Sequence, residues 1–326
     1  MNSQLTSLRL SVRVMAAAAC LLLAGVDRSG AQTTGYAHAV DWIGDSCGKD
    51  IDTFCKDVSL GGGRILKCLS QNRARVSPIC TNAVIYLTTL VDRRAAARAD
   101  VVPICAGDTK TLCPDMRPGD RNLLECLYGK KQNLSAPCRQ AMADAGYDLA
   151  SSASDPTNAS LADLVNSLKG AGRKSAAGIG AAGLRQLAAQ GISDPSRASR
   201  VYRPPLSEQM NQLAQFTVPV RFESDSARIP PEMFRVVALI ADALYHPLLQ
   251  GYRFLIISHT EGQGDRAYNL KLSRERAEAI RQALINPFGI SPSRIEAVGL
   301  GEEQLLNRAN PEAIENRRIQ VINVGK

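Results

Sequence analysis

Cys47, Cys55, Cys68 and Cys80 recur at the same mutual spacings as Cys105, Cys113, Cys126 and Cys138, offset by 58 residues. The register extends beyond the cysteines. Asp50 matches Asp108, Thr53 matches Thr111, Asp57 matches Asp115, Gly61 matches Gly119, Leu66 and Leu69 match Leu124 and Leu127, and Ser77 matches Ser135. Agreement at so many positions in so short a window marks residues 47–80 and 105–138 as a tandem duplication. Within each copy, apolar residues and cysteines fall at helical intervals before the glycine turn (Asp45–Val58 in the first) and after it (Ile65–Gln71), which predicts a helical hairpin. A hairpin folded about Gly61-Gly62-Gly63 would bring Cys55 near Cys68 and leave Cys47 for Cys80. That nested pairing is one of three open to each set of four.

Bridges and a metal centre are the rival uses of eight such cysteines. Zinc would usually ask for ligands at C-x2-C spacing, whereas the closest pairs here stand eight residues apart and no histidine lies between Cys47 and Cys138. The first residues favour bridges as well. Arg9 and Arg13 precede an apolar stretch, Val14 to Val26, and Ser29-Gly30-Ala31 reads as a small-x-small cleavage site, so residues 1–31 are expected to be a secretory signal and the exported chain to begin near Gln32. The stretch is too short for a hydrocarbon core of about 30 Å, which needs roughly 20 residues. Cys20 sits inside the apolar run, which continues through Leu21–Val26 and so argues against lipid attachment there. Export to an oxidising compartment favours disulfides in small modules with thin cores.

No later segment is long and apolar enough to cross a bilayer as a helix, and there is no set of eight evenly spaced alternating strands. Of the formal net charge of +8, the leader carries +2, leaving a mild, scattered excess that does not point to nucleic acid. Residues 149–212 read as a low-complexity linker rich in Ala, Ser, Gly, Asn and Asp. Leu161, Leu164, Val165 and Leu168 share one face of a short helix, and Leu184 and Leu187 another, weakened by Gly178, Gly180 and Gly183. The expectation is a tether of partial helicity that lends no apolar face to its neighbours.

Periodicity changes again after residue 213. Phe216–Phe222 alternates as a strand, with Pro219 arguing for an edge or a strand end. Phe234, Val237, Ile240 and Leu244 mark a helix opening after Pro230-Pro231. Tyr252–Ser258 reads as a central strand, Leu270, Ala277, Ile280 and Leu284 as a second helix, and Arg294–Val298 and Arg318–Val324 as two further strands. This order predicts an α/β sandwich with a mixed sheet over 213–326, behind disulfide-linked α-helical repeats over 40–148.

Two resemblances attach to these regions. The Cys-x-x-Asp opening, Phe54-Cys55 and Lys67-Cys68-Leu69 resemble the cysteine-rich repeat of the Golgi and FGF-receptor-like protein family, which implies an extracytoplasmic interaction module. Further on stand Phe222-x-x-x-Ser226, Ser258-His259-Thr260-Glu261-x-x-Gly264, Asn269-x-x-Leu272-Ser273-x-x-Arg276-Ala277, Gly299-x-Gly301-Glu302 and Asn316-Arg317-Arg318. In order and spacing they resemble the OmpA-like peptidoglycan-binding domain.

That second resemblance implies a site. The family holds the diaminopimelate of the stem peptide with an acidic residue after the His-Thr pair and the arginine of the LSxxRA motif, here Glu261 and Arg276. A guanidinium can grip a carboxylate with two parallel hydrogen bonds, and a carboxylate can pair an ammonium. His259, Thr260, Asn269 and Arg317 complete the expected ligand-binding set; Asn269 and Ser273 could equally cap or position a helix start, and Arg317 could brace the site. The sequence departs from the family at Ser258, usually glycine, and at Glu261, usually aspartate. The implied protein is a periplasmic, non-enzymatic tether associated with the cell wall and outer membrane. It needs no cofactor or metal, and its cysteine-rich half would meet an envelope protein or glycan. Cell-wall amide hydrolysis is the rival class, but the chain has only three histidines (His38, His246, His259) and no His-Glu-x-x-His motif. An OmpA-like fold without ligand, acting as a protein scaffold, is the other alternative.

Overall fold

The computed structural model describes residues 33–59, 63–116, 122–147, 160–169, 180–193, 210, 212–219 and 222–325. The expected signal over 1–31, Gly61-Gly62 and Leu187's side chain lie outside the described parts. Each cysteine frame is built from helices. The first has α1 (Tyr36–Phe54), α2 (Arg64–Gln71) and the start of α3 (Pro78–Ile104); the second has the end of α3, then α4 (Ala106–Leu112), α5 (Asn122–Gly129) and α6 (Ala136–Asp144). Of the three pairings open to each set, the structure holds the nested one: Cys47–Cys80 and Cys55–Cys68, then Cys105–Cys138 and Cys113–Cys126. The first helix begins at Tyr36, ahead of the expected Asp45, and stops before Cys55. The 27-residue α3, continuous from one frame into the next, is not announced by the cysteine pattern.

The repeated Asp and Ser acquire a reason. Ser77 donates its N–H and Oγ to the two Asp50 carboxylate oxygens at 3.1 and 2.7 Å, and Ser135 does the same to Asp108 at 2.8 and 2.6 Å. Each serine also caps a helix, its Oγ accepting from Cys80 N at 3.2 Å or Cys138 N at 3.4 Å. One clasp thus joins the helix that opens each frame to the helix that closes it. The hydrogen bonds from Ser135 hold the Asp108 carboxyl below its ordinary pKa.

The C-terminal part is a four-stranded mixed sheet. β1 (Gln215–Pro219), β2 (Phe254–His259), β3 (Ile295–Gly301) and β4 (Arg318–Asn323) lie in the order β1-β4-β2-β3, with β2 and β3 parallel and the other pairs antiparallel. Pro219 ends β1, which is an edge strand, so its missing N–H costs no inner ladder bond. β2 is central and buried along its whole length. A short 3-10 turn over Pro231–Met233 leads into α9 (Phe234–Leu244), and α10 (Arg266–Ile285) makes the crossover between the parallel strands. Gly299 and Gly301 let α10 lie close to β3. A Cβ at Gly299 would stand 2.2 Å from the Arg274 nitrogen, and Gly301 adopts φ +52° against Leu270.

The reading of 149–212 as a tether that lends no apolar face is corrected by the packing. α7 (Leu161–Lys169) buries Leu164, Val165 and Leu168 against α9, β1 and β4, and Asn323 Nδ2 donates to the Leu168 carbonyl at 2.8 Å. α8 (Ala181–Ser193) covers the opposite face, where Leu184 and Ala188 join Met210, Leu255, Ile257, Leu270, Val298 and Leu300. Composition over the whole stretch is polar, but four or five apolar residues on one short face are enough to dock a helix once a sheet face exists to receive it.

The first repeat docks on the same layer. α1 packs on α9, and its Tyr36 and Ile51, with Cys55 just beyond its end, share one buried cluster with Phe234, Val237, Ile240 and Leu244. Asp242 of α9 accepts from the N–H groups of Tyr36 (3.1 Å) and Ala37 (2.9 Å), capping α1 from another element.

Candidate functional site

Glu261, Arg276 and Arg317 converge at the end of β2, where the chain leaves the sheet. Arg317 precedes β4, which pairs with β2 through His259↔Arg318, so the strand register sets Arg317 beside the 260–263 loop. It grips Glu261 as a fork, Nε donating to Oε2 at 2.9 Å and Nη2 to Oε1. Burial pushes the Glu261 carboxyl up, but the hydrogen bonds from Arg317 and the charges of Arg317 and Arg276 outweigh it and hold the group below its ordinary value. Glu261 therefore stands ionised. Its length, in place of the family's aspartate, spans the distance to Arg317.

Arg276 comes from α10 and is held differently. Its Nε donates to the Ser226 carbonyl at 2.8 Å and its Nη2 to the Glu223 carbonyl at 3.0 Å, while the guanidinium lies 4.9 Å from the Phe222 ring centroid. The residue is 2% exposed. Burial, then the neighbouring Arg317 charge, lowers its pKa to about 10, so it stays cationic at neutral pH. Carbonyls orient this guanidinium without neutralising it, and Nη1 has no protein partner among the described residues. Two cations and the Glu261 carboxylate, with the Asp225 charge also acting on Arg276, set groups of both signs side by side, which suits a ligand that carries a carboxylate and an ammonium.

The other expected residues sort into supports. Asn269 sends its amide to the Gln263 carbonyl and to Glu302 Oε2, both at 2.8 Å, and so pins the loop carrying Glu261. The helix itself is capped by Asp265, which accepts from Tyr268 N at 2.7 Å, so neither Asn269 nor Ser273 is the cap. Ser273 instead ties α10 to β3, accepting from Gly301 N at 2.8 Å. His259 is expected among the ligand-binding residues, but it lies buried at 1% exposure, with Nε2 2.6 Å from Gln320 Oε1. Burial holds its pKa well below the ordinary value and keeps it neutral. Its side chain is buried within the sheet against Gln320. Thr260 is likewise buried, its N–H donating to the Gly301 carbonyl at 2.9 Å and its Oγ1 without a partner.

Supports not singled out from sequence include Arg318, whose buried guanidinium donates to the carbonyls of Asn316 (3.0 Å) and Gln304 (2.7 Å), and Asn316 itself. The Asn316 amide donates to the carbonyls of Asn307, Asn310 and Pro311 and shapes the loop that precedes β4. The paired arginines of the Asn-Arg-Arg motif thus divide: Arg317 reaches into the site and Arg318 braces the loop. Glu223 and Ser226 contribute backbone carbonyls, which no side-chain pattern reveals. Among the described residues no group of three or more His, Cys, Asp and Glu side chains is placed to hold a metal ion, and no helix is long and apolar enough to cross a membrane.

Comparison with known proteins bears on both halves. Residues 221–318 match the OmpA family and residues 43–76 match the family described as a cysteine rich repeat. The peptidoglycan-associated lipoprotein of Pseudomonas putida is 33% identical over 102 residues, 31% of this chain and 59% of that protein. Golgi apparatus protein 1 of Homo sapiens is 26% identical over 98 residues, 29% of this chain and 8% of that protein. A crystal structure of the peptidoglycan-associated lipoprotein from Burkholderia pseudomallei is 30% identical, covering 32% of this chain and 87% of that one, with a TM-score of 0.28. The chain spans between 33% and 59% of the length of the first bacterial relatives it matches. The chain accordingly carries an OmpA family domain at its C-terminus, behind an N-terminal cysteine-rich repeat.

Proposed function

We propose that the Glu261, Arg276 and Arg317 cluster binds peptidoglycan without altering it covalently, by holding the diaminopimelate of the stem peptide. The observation that carries the reading is the state of Arg276: buried, cationic and oriented by two backbone carbonyls, with Nη1 bonded to no other described residue, beside an ionised Glu261. In this reading Arg276 takes the ligand carboxylate, and Glu261, fixed by Arg317, takes the ammonium. Kinship with peptidoglycan-associated lipoproteins supports the ligand class. The protein would then tether its cysteine-rich half to the wall in the periplasm, near the outer membrane, where that half meets an envelope protein or glycan.

Sedimentation with purified peptidoglycan tests this. Arg276→Ala is expected to lose pelleting while remaining folded, because removing one partner of a desolvated charge pair costs about 2–5 kcal/mol, more than tenfold in affinity. Glu261→Ala should weaken pelleting less. Pelleting of Arg276→Ala at the natural level would overturn the site, and release of soluble muropeptides by the natural protein would favour the hydrolase.

A further inference from the structure

The elements that orient Arg276 extend beyond the C-terminal domain. Its two carbonyl partners sit in the loop over 222–229, which holds Asp225 at φ 52°, a conformation side-chain-bearing residues seldom adopt. A loop in such a state persists only when its surroundings over-determine it. Part of the support is internal. Ser226 N donates to the Glu223 carbonyl at 3.3 Å, Arg228 N donates to Ser226 Oγ at 3.0 Å, the Arg228 guanidinium pairs with the Glu223 carboxylate, and the Tyr268 hydroxyl donates to Asp225 Oδ1 at 3.2 Å.

The rest comes from the first cysteine frame. Arg228 Nη1 donates to the Lys56 carbonyl, and Ile229 N donates to Ser59 Oγ at 3.3 Å. Lys56 and Ser59 directly follow Cys55, whose bridge to Cys68 closes that segment back onto α2. Ile229 is fully buried in the cluster that also contains Cys55 and Cys68. The 222–229 loop is therefore held between Arg276 on one side and a disulfide-closed loop of the repeat on the other.

We infer that the first cysteine-rich repeat is a working part of the ligand site, with Arg228 and Ser59 as positioning residues that hold the Glu223 and Ser226 carbonyls where they orient Arg276. The inference rests on the reading of Arg276 as the ligand-gripping residue. Arg228 needs no contact with ligand to act. It ties Glu223, one of the two residues that orient Arg276, to the backbone of the repeat.

The test measures peptidoglycan affinity by sedimentation, with melting temperature in parallel, on the full chain with its disulfides formed. Arg228→Ala should weaken binding by roughly three- to tenfold, the range expected when coupled neighbours are separated. Arg228→Lys, which keeps a cation for Glu223 and a donor for the Lys56 carbonyl, should recover most of that loss. Arg235→Ala is the control, since Arg235 pairs with Asp41 at 2.8 Å across the same seam but lies outside the 222–229 loop; it should bind as the natural protein does. If Arg228→Ala fails to fold, Ser59→Ala removes the other tie and should weaken binding in the same direction. Natural affinity in both Arg228→Ala and Ser59→Ala, or an equal loss in Arg235→Ala, would overturn the inference while Arg276→Ala still loses binding. Natural affinity in Arg276→Ala would instead sink the proposed function on which the inference stands.

Discussion

The two cysteine repeats share spacing, bridge pairing and the Asp–Ser clasp, yet they have different fates in the molecule. The first spends its apolar surface on a neighbour: Tyr36, Ile51, Ile65 and Leu69 belong to the cluster that contains α9 and the underside of the sheet. The second builds a core of its own from Val101, Leu123, Leu127, Leu134, Met142 and Tyr147 around its cysteines. Its ties to the C-terminal layer include Tyr128 packed edge-on to His246 at 4.7 Å and Gln250 donating to the Tyr147 hydroxyl at 2.9 Å. A duplicated frame therefore prescribes how each unit closes on itself and leaves open what it docks against. That depends on residues outside the frame. Arg228, Arg235 and Asp242 in the C-terminal domain meet Lys56, Asp41 and the start of α1 in the first repeat.

Removing one bridge from each repeat gives the largest contrast. Cys55–Cys68 and Cys113–Cys126 close loops of the same sequence separation, 13, so Cys55→Ser with Cys68→Ser and Cys113→Ser with Cys126→Ser should each cost about 3 kcal/mol in chemical denaturation. Only the first pair of changes should also weaken sedimentation with peptidoglycan, because its loop abuts the segment holding Arg276. Equal loss of pelleting in both would erase the functional distinction between the repeats.

Acid should act on the second repeat's seam. Burial, with help from Lys131 and Lys169, lowers the His246 pKa from 6.5 to about 4. The folded state thus binds this proton more weakly than the unfolded state. Its stabilising contribution is complete above about pH 6.5 and falls away as pH drops towards 4, by at most about 1.4 kcal/mol per pH unit. The buried neutral His259 acts in the same direction. Melting temperatures between pH 7 and 4.5 should therefore fall less steeply in His246→Phe than in the natural protein. Parallel curves for the two proteins would remove His246 from the explanation.

The smallest expected effect tests where the repeats are alike. Ser77→Ala and Ser135→Ala each remove a helix cap and one donor to an aspartate, and each should cost about 1 kcal/mol. Unequal costs, measured by denaturant midpoints, would show that docking of the first repeat has changed its internal clasp as well.

The C-terminal α/β order was legible because its signals are local: alternating residues in strands, helical spacing in Phe234–Leu244, and a proline at the end of an edge strand. That Arg276 and Glu261 lie near one another was legible because their motifs carry them. The pairing of Glu261 with Arg317 was not, since it depends on a strand register that sets residues 56 positions apart side by side. The Phe222-x-x-x-Ser226 motif did not reveal that the Glu223 and Ser226 carbonyls, and not their side chains, would meet Arg276. His259 is a motif residue expected in the ligand-binding set whose side chain is buried on β2.

What chain order and spacing settle here is whatever a short stretch can decide within itself: the nested frames, each with its own aspartate and serine, and the alternation that makes a mixed sheet. Packing settles the rest. Whether Leu164, Val165 and Leu168 dangle in a tether or cover a sheet depends on an apolar face offered by α9, β1 and β4, which exists only after those elements have assembled. The same holds for the site. Arg276 is buried and its plane is fixed by carbonyls distant in sequence, and both conditions are properties of the folded surroundings and not of the residue.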